Sequence, residues 1–118
     1  MTTISSHILD SASGQDAAGI RVTCHRLSAT GESEAVFDTN AGDDGRISIE
    51  IDTGSDSLDT RYELVFCSGE YFARAQSGEA DTSIVSEVVV RVDLSEAPAR
   101  CHVPVLIAPH NYTIWWSR

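Results

Sequence analysis

The sequence contains no lysine. Its eight basic residues are all arginine and face 18 acidic residues, so the formal net charge is −10. Proteins that bind nucleic acid neutralise phosphates with a basic patch, and this chain has no basic run that would form one. An anionic membrane surface would also repel so acidic a chain. We therefore expect neither nucleic acid nor a membrane among its partners.

Long apolar runs are missing as well, since no stretch approaches the roughly 20 residues that span a bilayer. The start of the chain, MTTISSHILD, lacks the charged first region and the long apolar region of a signal peptide. The last three residues, Trp-Ser-Arg, differ from the Ser-Lys-Leu address of peroxisomal proteins. The expected location is therefore the cytoplasm.

Cysteine is scarce, with only Cys24, Cys67 and Cys101 in the chain. An odd number at wide spacing is a poor disulfide framework, and neither a Cys-X-X-Cys pair nor a zinc-type spacing of Cys and His occurs. The apolar and β-branched neighbours of these residues favour small, reduced, buried thiols in a reducing compartment. The alternative is that one of them is a nucleophile. No metal or other cofactor is expected.

What the chain does contain is a series of short segments in which apolar and polar residues alternate, separated by turn-forming clusters. This period predicts β-strands, whereas SGEYFARAQ, with its acidic first turn, predicts one short helix. At 118 residues, 42% of them hydrophobic, the chain is expected to be one domain, residues 1–118, with an all-β sandwich fold. The predicted strands are Ile4–Asp10, Ile20–Leu27, Glu34–Thr39, Arg46–Ile51, Arg61–Cys67, Glu87–Leu94, Cys101–Ile107 and Tyr112–Trp116, and the predicted helix is Ser68–Gln76.

Two histidines lie within predicted strands: His7 shares a strand face with Leu9, and His102 shares one with Leu106. Histidine is the side chain best suited to exchange protons near neutral pH, although each could instead have an ordinary structural or surface role. Arg46 follows an Asp-Asp-Gly turn. It could hold a planar ligand through two hydrogen bonds or simply be solvated beside the turn.

Trp115 and Trp116 stand close to the end of the sequence, where polar and frayed residues are usual. The presence of two indole rings near the end of the sequence predicts that the tail packs against another apolar surface. The partner could be the core of the domain, another subunit or a planar ligand.

Four segments in this order resemble the transthyretin-like family, and specifically its 5-hydroxyisourate hydrolase branch. ISSHILDSASGQDAAGIRV resembles the opening motif, in which a histidine precedes a hydrophobic-Leu-Asp sequence and a glycine-containing loop. TNAGDDGRI is similar to the turn-plus-arginine motif, and GEYFARAQ to the short helix. CHVPVLIAPHNYT is similar to the motif of the seventh strand. The likeness covers nearly the whole chain.

The resemblance implies a sandwich of two four-stranded sheets that assembles as a homotetramer. Subunits would pair edge to edge into dimers, and two dimers would face each other across a channel that holds the active sites. His7, Arg46 and His102 fall on three catalytic positions of the hydrolases. The residues expected to bind a small heterocyclic substrate are Leu9, Leu106, Tyr112, Trp115, Trp116, Ser117 and Arg118.

The tail departs from the family pattern, since the hydrolases end in Tyr-Arg-Gly-Ser and this chain ends in Trp-Trp-Ser-Arg. Two indole rings in place of tyrosine and arginine would change the size and polarity of the channel. The standard substrate is therefore an open question, whereas the scaffold is not.

Three hypotheses for function follow from these residues. In the first, the protein is a hydrolase: one imidazole takes a proton from water, the other donates a proton to the leaving ring nitrogen or orients the water, and Arg46 stabilises the oxyanion. The roles of His7 and His102 stay open at this point. In the second, a diverged channel enzyme isomerises, cyclises or hydrolyses a larger heterocycle, as the altered tail suggests. In the third, the protein binds a small molecule without catalysis, as transthyretin does, and the retained His and Arg set argues against this.

Overall fold

Two β-sheets that pack face to face, with one helix beside them, account for the part of the chain that the computed structural model describes, residues 1–75 and 84–116. The strands are β1 (Thr2–Asp10), β2 (Gln15–Asp16), β3 (Arg21–Leu27), β4 (Ser33–Asn40), β5 (Arg46–Ile51), β6 (Arg61–Phe66), β7 (Val88–Val92), β8 (Arg100–His102), β9 (Val105–Ile107) and β10 (Tyr112–Ile114), and the helix is α1 (Ser68–Ala75). Within those two ranges no helix has the length and apolar character that crossing a bilayer requires. The predicted last residue of the helix, Gln76, lies outside the described residues.

Strand β1 is the centre of the first sheet. It pairs antiparallel with β2 and β5 and parallel with β8 and β9, and β9 in turn pairs with β10. The second sheet has the order β4-β3-β6-β7 and is antiparallel throughout. Strands β7 and β10 therefore lie at the edges of their sheets.

The prediction of an all-β sandwich with one short helix is confirmed, but the first sheet contains six strands rather than four. The predicted strand Cys101–Ile107 is divided into β8 and β9 because Pro104 has no N–H to donate to a ladder. The stretch predicted as a loop after β1 also contributes the two-residue strand β2. The second sheet has the predicted four strands.

Alternation along β1 separates the core from the outer face of the first sheet. Ile4 and Ile8 are fully buried on the inner face, where they belong to one cluster with Leu64, Phe66 and Val105. Each such side chain contributes about 1.5–3 kcal/mol to folding by leaving water. Because the side-chain period of a strand is two, the residues between them point to the opposite face.

All three cysteines are free and buried, as the sequence predicted. Burial raises the pKa of Cys24 to about 12 and also raises the pKa values of Cys67 and Cys101 above the ordinary thiol value. The charged thiolate is the form that loses hydration when a thiol is buried, so all three remain protonated at neutral pH.

We expect a thiol-reactive disulfide reagent at about pH 8 to leave the native protein unlabelled over minutes, since the thiolate is the nucleophile and is nearly absent here. The same reagent in concentrated guanidinium should titrate all three thiols. Absorbance of the released chromophore measures both reactions. Rapid reaction of a single thiol in the native protein would contradict this prediction and revive the hypothesis of a nucleophilic cysteine.

Candidate functional site

The pairing register of β1 brings three predicted site residues to one face of the first sheet. His7 lies directly opposite Arg46 of β5, and His102 of β8 lies directly opposite Ser5, two residues before His7. Directly paired residues project to the same side of a sheet, as do residues two apart on one strand. The structure thus places His7, Arg46 and His102, here called the His–Arg row, across three neighbouring strands on the outer face.

The dimensions of a sheet give the spacing within this row. Ser5 and His7 are two residues apart along the strand, and His102 is one strand away from Ser5, so the two histidine Cα positions are about 8 Å apart. Imidazoles at that separation can both reach one small molecule lying between them. Both histidines are half-buried and Arg46 is exposed. The row is therefore accessible from outside the sandwich.

Each imidazole has one ring nitrogen engaged with a neighbouring side chain. The Nδ1 atom of His102 lies 2.8 Å from the hydroxyl oxygen of Ser5, and the Nε2 atom of His7 lies 2.8 Å from a carboxylate oxygen of Asp16. The other ring nitrogen of each has no hydrogen bond to the described residues. One nitrogen of each imidazole is thus engaged, which leaves the other as the candidate to exchange a proton with a ligand.

Asp16 was not among the residues that the sequence singled out. It lies in a glycine-containing stretch that was predicted to be a loop, and a strand of two residues is too short to show any period. The structure pairs it with Leu9 of β1, which brings its carboxylate to the imidazole of His7. Only the tertiary structure reveals this contact.

The guanidinium of Arg46 forms no hydrogen bond or ion pair with residues 1–75 or 84–116. The neighbouring Asp44 accepts a hydrogen bond from the backbone N–H of Arg46 at 3.0 Å and leaves its side chain unengaged. A free guanidinium beside an imidazole can bind an oxygen or a carbonyl group of a ligand. In the same ranges, no three His, Cys, Asp or Glu side chains come together in a way that would hold a metal ion.

Backbone contacts at Ile8 hold the two segments that flank His7. The N–H of Ile8 donates to the carbonyl of Gly45 at 2.8 Å, and the carbonyl of Ile8 accepts from the N–H of Ala17 at 2.9 Å. Gly45 immediately precedes Arg46, and Ala17 immediately follows Asp16. One residue of β1 therefore positions both the arginine and the carboxylate next to His7.

Asp10, the last residue of β1, secures the loop that leads to β2. Its buried carboxylate accepts hydrogen bonds from the N–H groups of Ala12 and Ser13, at 2.9 and 3.0 Å, and from the hydroxyl of Tyr71 in α1 at 2.9 Å. Burial, together with this bond to Asp10, raises the pKa of Tyr71 to about 12. Asp10 thus ties the loop before Asp16 to the helix.

The predicted substrate-binding leucines continue the face of the His–Arg row, whereas Tyr112 does not. Leu9 and Leu106 are paired across β1 and β9 and are both half-buried. Tyr112 is paired with the buried Ile107, so its side chain projects to the core-facing side of the sheet. Because β10 is an edge strand, 44% of the surface of Tyr112 is nevertheless exposed. The leucines add an apolar floor beside His7.

The two tryptophans line an apolar groove of about 830 Å³ between the two sheets. Val90 of β7 and Ile114 of β10 line the same groove, which lies at the edges formed by these strands. The His–Arg row is on the outer face of the first sheet, and none of its three residues lines this groove. Ser117 and Arg118, also expected to bind substrate, lie outside the described residues.

The two packed sheets, their strand order and the short helix after the sixth strand define a transthyretin-like sandwich. The chain belongs to the HIUase/Transthyretin family, whose profile matches residues 4–116. Among curated relatives, 5-hydroxyisourate hydrolase 2 of Rhizobium meliloti is 30% identical over 113 residues, which are 95% of this chain and 92% of that protein. The 5-hydroxyisourate hydrolase of Mesorhizobium japonicum is 31% identical over 113 residues, 95% of this chain and 89% of the relative.

Two solved structures show the same fold. The 5-hydroxyisourate hydrolase of Klebsiella pneumoniae superimposes with a TM-score of 0.78 at 27% identity, and the match covers 100% of both chains. The structure of (S)-allantoin synthase superimposes with a TM-score of 0.81 at 25% identity. That match covers 99% of this chain but only 44% of the allantoin synthase chain, so this protein corresponds to less than half of that one.

The approach of Gly45 to β1 yields a stability prediction. Gly45 has a φ of +69°, and a Cβ atom there would lie 2.5 Å from the carbonyl oxygen of Ile8 and 3.0 Å from the amide nitrogen of Ala17. Gly31 has a φ of +86° but no atom within 4 Å of the corresponding position. Gly31→Ala should therefore cost only the strain of a left-handed residue, about 1–2 kcal/mol.

Gly45→Ala should cost roughly 2–3 kcal/mol more than Gly31→Ala, because it must also push the backbone of β1 aside. Guanidinium unfolding of both variants and the wild type measures the difference in the free energy of unfolding. Equal losses in the two variants would show that the turn before Arg46 does not depend on this close approach.

Proposed function

We propose that this protein is a hydrolase that opens a cyclic amide in a small planar heterocycle, and that its substrate is 5-hydroxyisourate. The observation that carries the proposal is the His–Arg row, in which two imidazoles and one unengaged guanidinium share a face of the first sheet. The relatives at about 30% identity over most of the chain, which are named 5-hydroxyisourate hydrolases, support the same substrate. The leucine floor beside His7 would seat the flat face of such a ring.

In the proposed reaction, a water molecule attacks the ring carbonyl between the two imidazoles. One imidazole takes a proton from the water as the new carbon–oxygen bond forms, and the other gives a proton to the ring nitrogen as the carbon–nitrogen bond breaks. Positioned proton transfer of this kind is typically worth 10²–10⁴ in rate. Arg46 would stabilise the negative charge that develops on the carbonyl oxygen, which is usually a large electrostatic contribution.

We further propose that the protein acts as a homotetramer. The edge strands β7 and β10 flank the tryptophan-lined groove. Strand edges that lie beside exposed aromatic rings are surfaces to which another chain tends to bind. Val89, Trp115 and Trp116 are exposed in this region by 47, 44 and 61%. Pairing at these edges, followed by face-to-face association of two dimers, would enclose the His–Arg rows in a channel. The buried free thiols support the proposed cytoplasmic location.

The assembly proposal predicts a tetramer mass by light scattering at micromolar concentration. Val90→Lys should reduce the mass to that of a dimer or monomer, since it places a charge at the groove between the edges β7 and β10. Val36→Lys is the matched control, because Val36 is a similarly half-buried valine on the opposite edge strand β4. A monomeric wild type, or equal effects of the two variants, would refute the proposed interface.

The catalytic proposal predicts that the wild type accelerates the decay of freshly generated 5-hydroxyisourate, followed by ultraviolet absorbance. His7→Asn, His102→Asn and Arg46→Ala should each lower kcat/KM by at least about 100-fold, the low end for a positioned acid–base group. His25→Asn is the control, since His25 lies on β3 in the other sheet. All four variants should fold, because the three row residues face outward.

A wild type that does not accelerate the reaction would overturn the proposed substrate and favour a larger heterocycle. Near-wild-type rates in the His7 and His102 variants would remove both imidazoles from the mechanism.

A further inference from the structure

We infer that Asp16 is a positioning residue that fixes the proton arrangement of His7 and thereby makes His7 the base of the reaction. The inference rests on the proposed hydrolysis and adds the assignment that this proposal leaves open, namely which imidazole takes the proton from water. It is carried by the contact of 2.8 Å between the Asp16 carboxylate and Nε2 of His7.

The chemistry of the two atoms determines where the proton on His7 lies. An ionised carboxylate can only accept hydrogen bonds, so Nε2 of His7 must be the donor in this contact. A neutral imidazole carries one ring proton, and with that proton on Nε2 the lone pair is on Nδ1. Nδ1 has no hydrogen bond to the described residues. His7 is therefore held in the form whose unbonded nitrogen, Nδ1, can accept a proton.

The partner of His102 imposes no such preference. A serine hydroxyl both donates and accepts, so Ser5 can satisfy Nδ1 of His102 whether or not that nitrogen carries the proton. As an imidazolium, His102 would donate Nδ1–H to the Ser5 hydroxyl and carry a second proton on Nε2, which it can give away to become a neutral imidazole. The carboxylate at one imidazole and the hydroxyl at the other thus distinguish a base, His7, from an acid, His102.

The carboxylate is held firmly enough to orient a ring. Asp16 lies in β2 opposite Leu9, and the following residue, Ala17, is fully buried and bonded through its N–H to Ile8. A Cβ atom added at Gly45 would lie 3.3 Å from the Cβ of Asp16, so β2 runs close to the turn before Arg46. The aspartate therefore approaches His7 from a segment that is paired with β1.

Because both side chains are partly exposed, the contact between His7 and Asp16 orients the imidazole ring and contributes little to the free energy of unfolding. The side chains of His7 and Asp16 are 21 and 43% exposed, and water screens much of the attraction between such groups. Their contact is instead suited to hold the imidazole plane and to offset the positive charge that His7 gains during the step. Removal of the carboxylate should consequently affect turnover more than folding.

The proton balance of the step follows from this arrangement. The attacking water loses one proton to Nδ1 of His7 as its oxygen bonds to the ring carbonyl carbon, while Nε2–H stays hydrogen-bonded to Asp16, which is not protonated. His102, doubly protonated before the step, gives the proton on Nε2 to the ring nitrogen as the amide bond breaks and becomes a neutral imidazole. One proton has then moved in effect from His102 to His7, and exchange with solvent restores both imidazoles.

The test uses the full chain with Asp16→Asn, Asp16→Ala and Asp16→Glu, and with Asp43→Asn as a control of the same charge change. Asp43 is exposed in the turn before Arg46, and the hydrogen bond and ion pair that the described residues offer His7 come from Asp16. For 5-hydroxyisourate, kcat should fall at least about 10-fold in the Asn and Ala variants, since a carboxylate that orients a catalytic imidazole is worth this much or more. KM should stay within about twofold, and Glu should restore most of the loss.

A second readout needs no substrate. In ¹⁵N-labelled wild type at neutral pH, a downfield ring proton should correlate with Nε2 of His7, and it should be lost in Asp16→Ala but kept in Asp43→Asn. Unchanged kcat in Asp16→Asn and Asp16→Ala, or a His7 ring proton found on Nδ1, would overturn the inference. A wild type that shows the Nε2 proton but does not turn over 5-hydroxyisourate would instead refute the proposed substrate and leave the hold of Asp16 on His7 supported.

Discussion

Strand β1 is the constraint on which the rest of the structure depends. It pairs with four other strands, so every element of the first sheet except β10 takes its position directly from this one segment. Its period of two divides its residues between the core and the outer face. Ile4 and Ile8 anchor the sandwich, while Ser5 and His7, next to them in sequence, belong to the face of the candidate site. The core and the candidate site therefore take their side chains from opposite faces of the same strand.

This arrangement explains why the candidate site is built on paired strands. The backbone of Ile8 bonds to the segment before Arg46 and to the segment after Asp16, so the partners of His7 are held by the ladder that holds the sheet. The closeness of Gly45 to Ile8 leaves no room for a side chain there. A site assembled in this way needs little further ordering when a ligand binds, which is the advantage of preorganised groups.

The groove lined by Trp115 and Trp116 and the His–Arg row are different surfaces of one chain. Trp115 and Trp116 cover apolar surface between the sheets at the β7 and β10 edges, and the row lies on the outer face of the first sheet. In the proposed tetramer, the edge groove would join subunits, whereas the outer face would enclose the ligand. The difference between this tail and the tail of the family would then change subunit assembly before it changes ligand binding.

The sequence by itself determined the alternating strands, the helix from Ser68 and the three residues of the His–Arg row, because side-chain period and local motifs are properties of short segments. The division of one strand at Pro104 followed from a missing N–H, but its effect on the sheet became visible only in the pairing. The face that Tyr112 occupies was decided by strand register, and the ring nitrogen of His7 that is engaged was decided by the side-chain contact with Asp16. The carboxylate of Asp16 shows this most clearly. The strand β2 has only two residues, which is too short to show an alternating pattern in the sequence, and its pairing with β1 is a contact that exists only once the chain has folded.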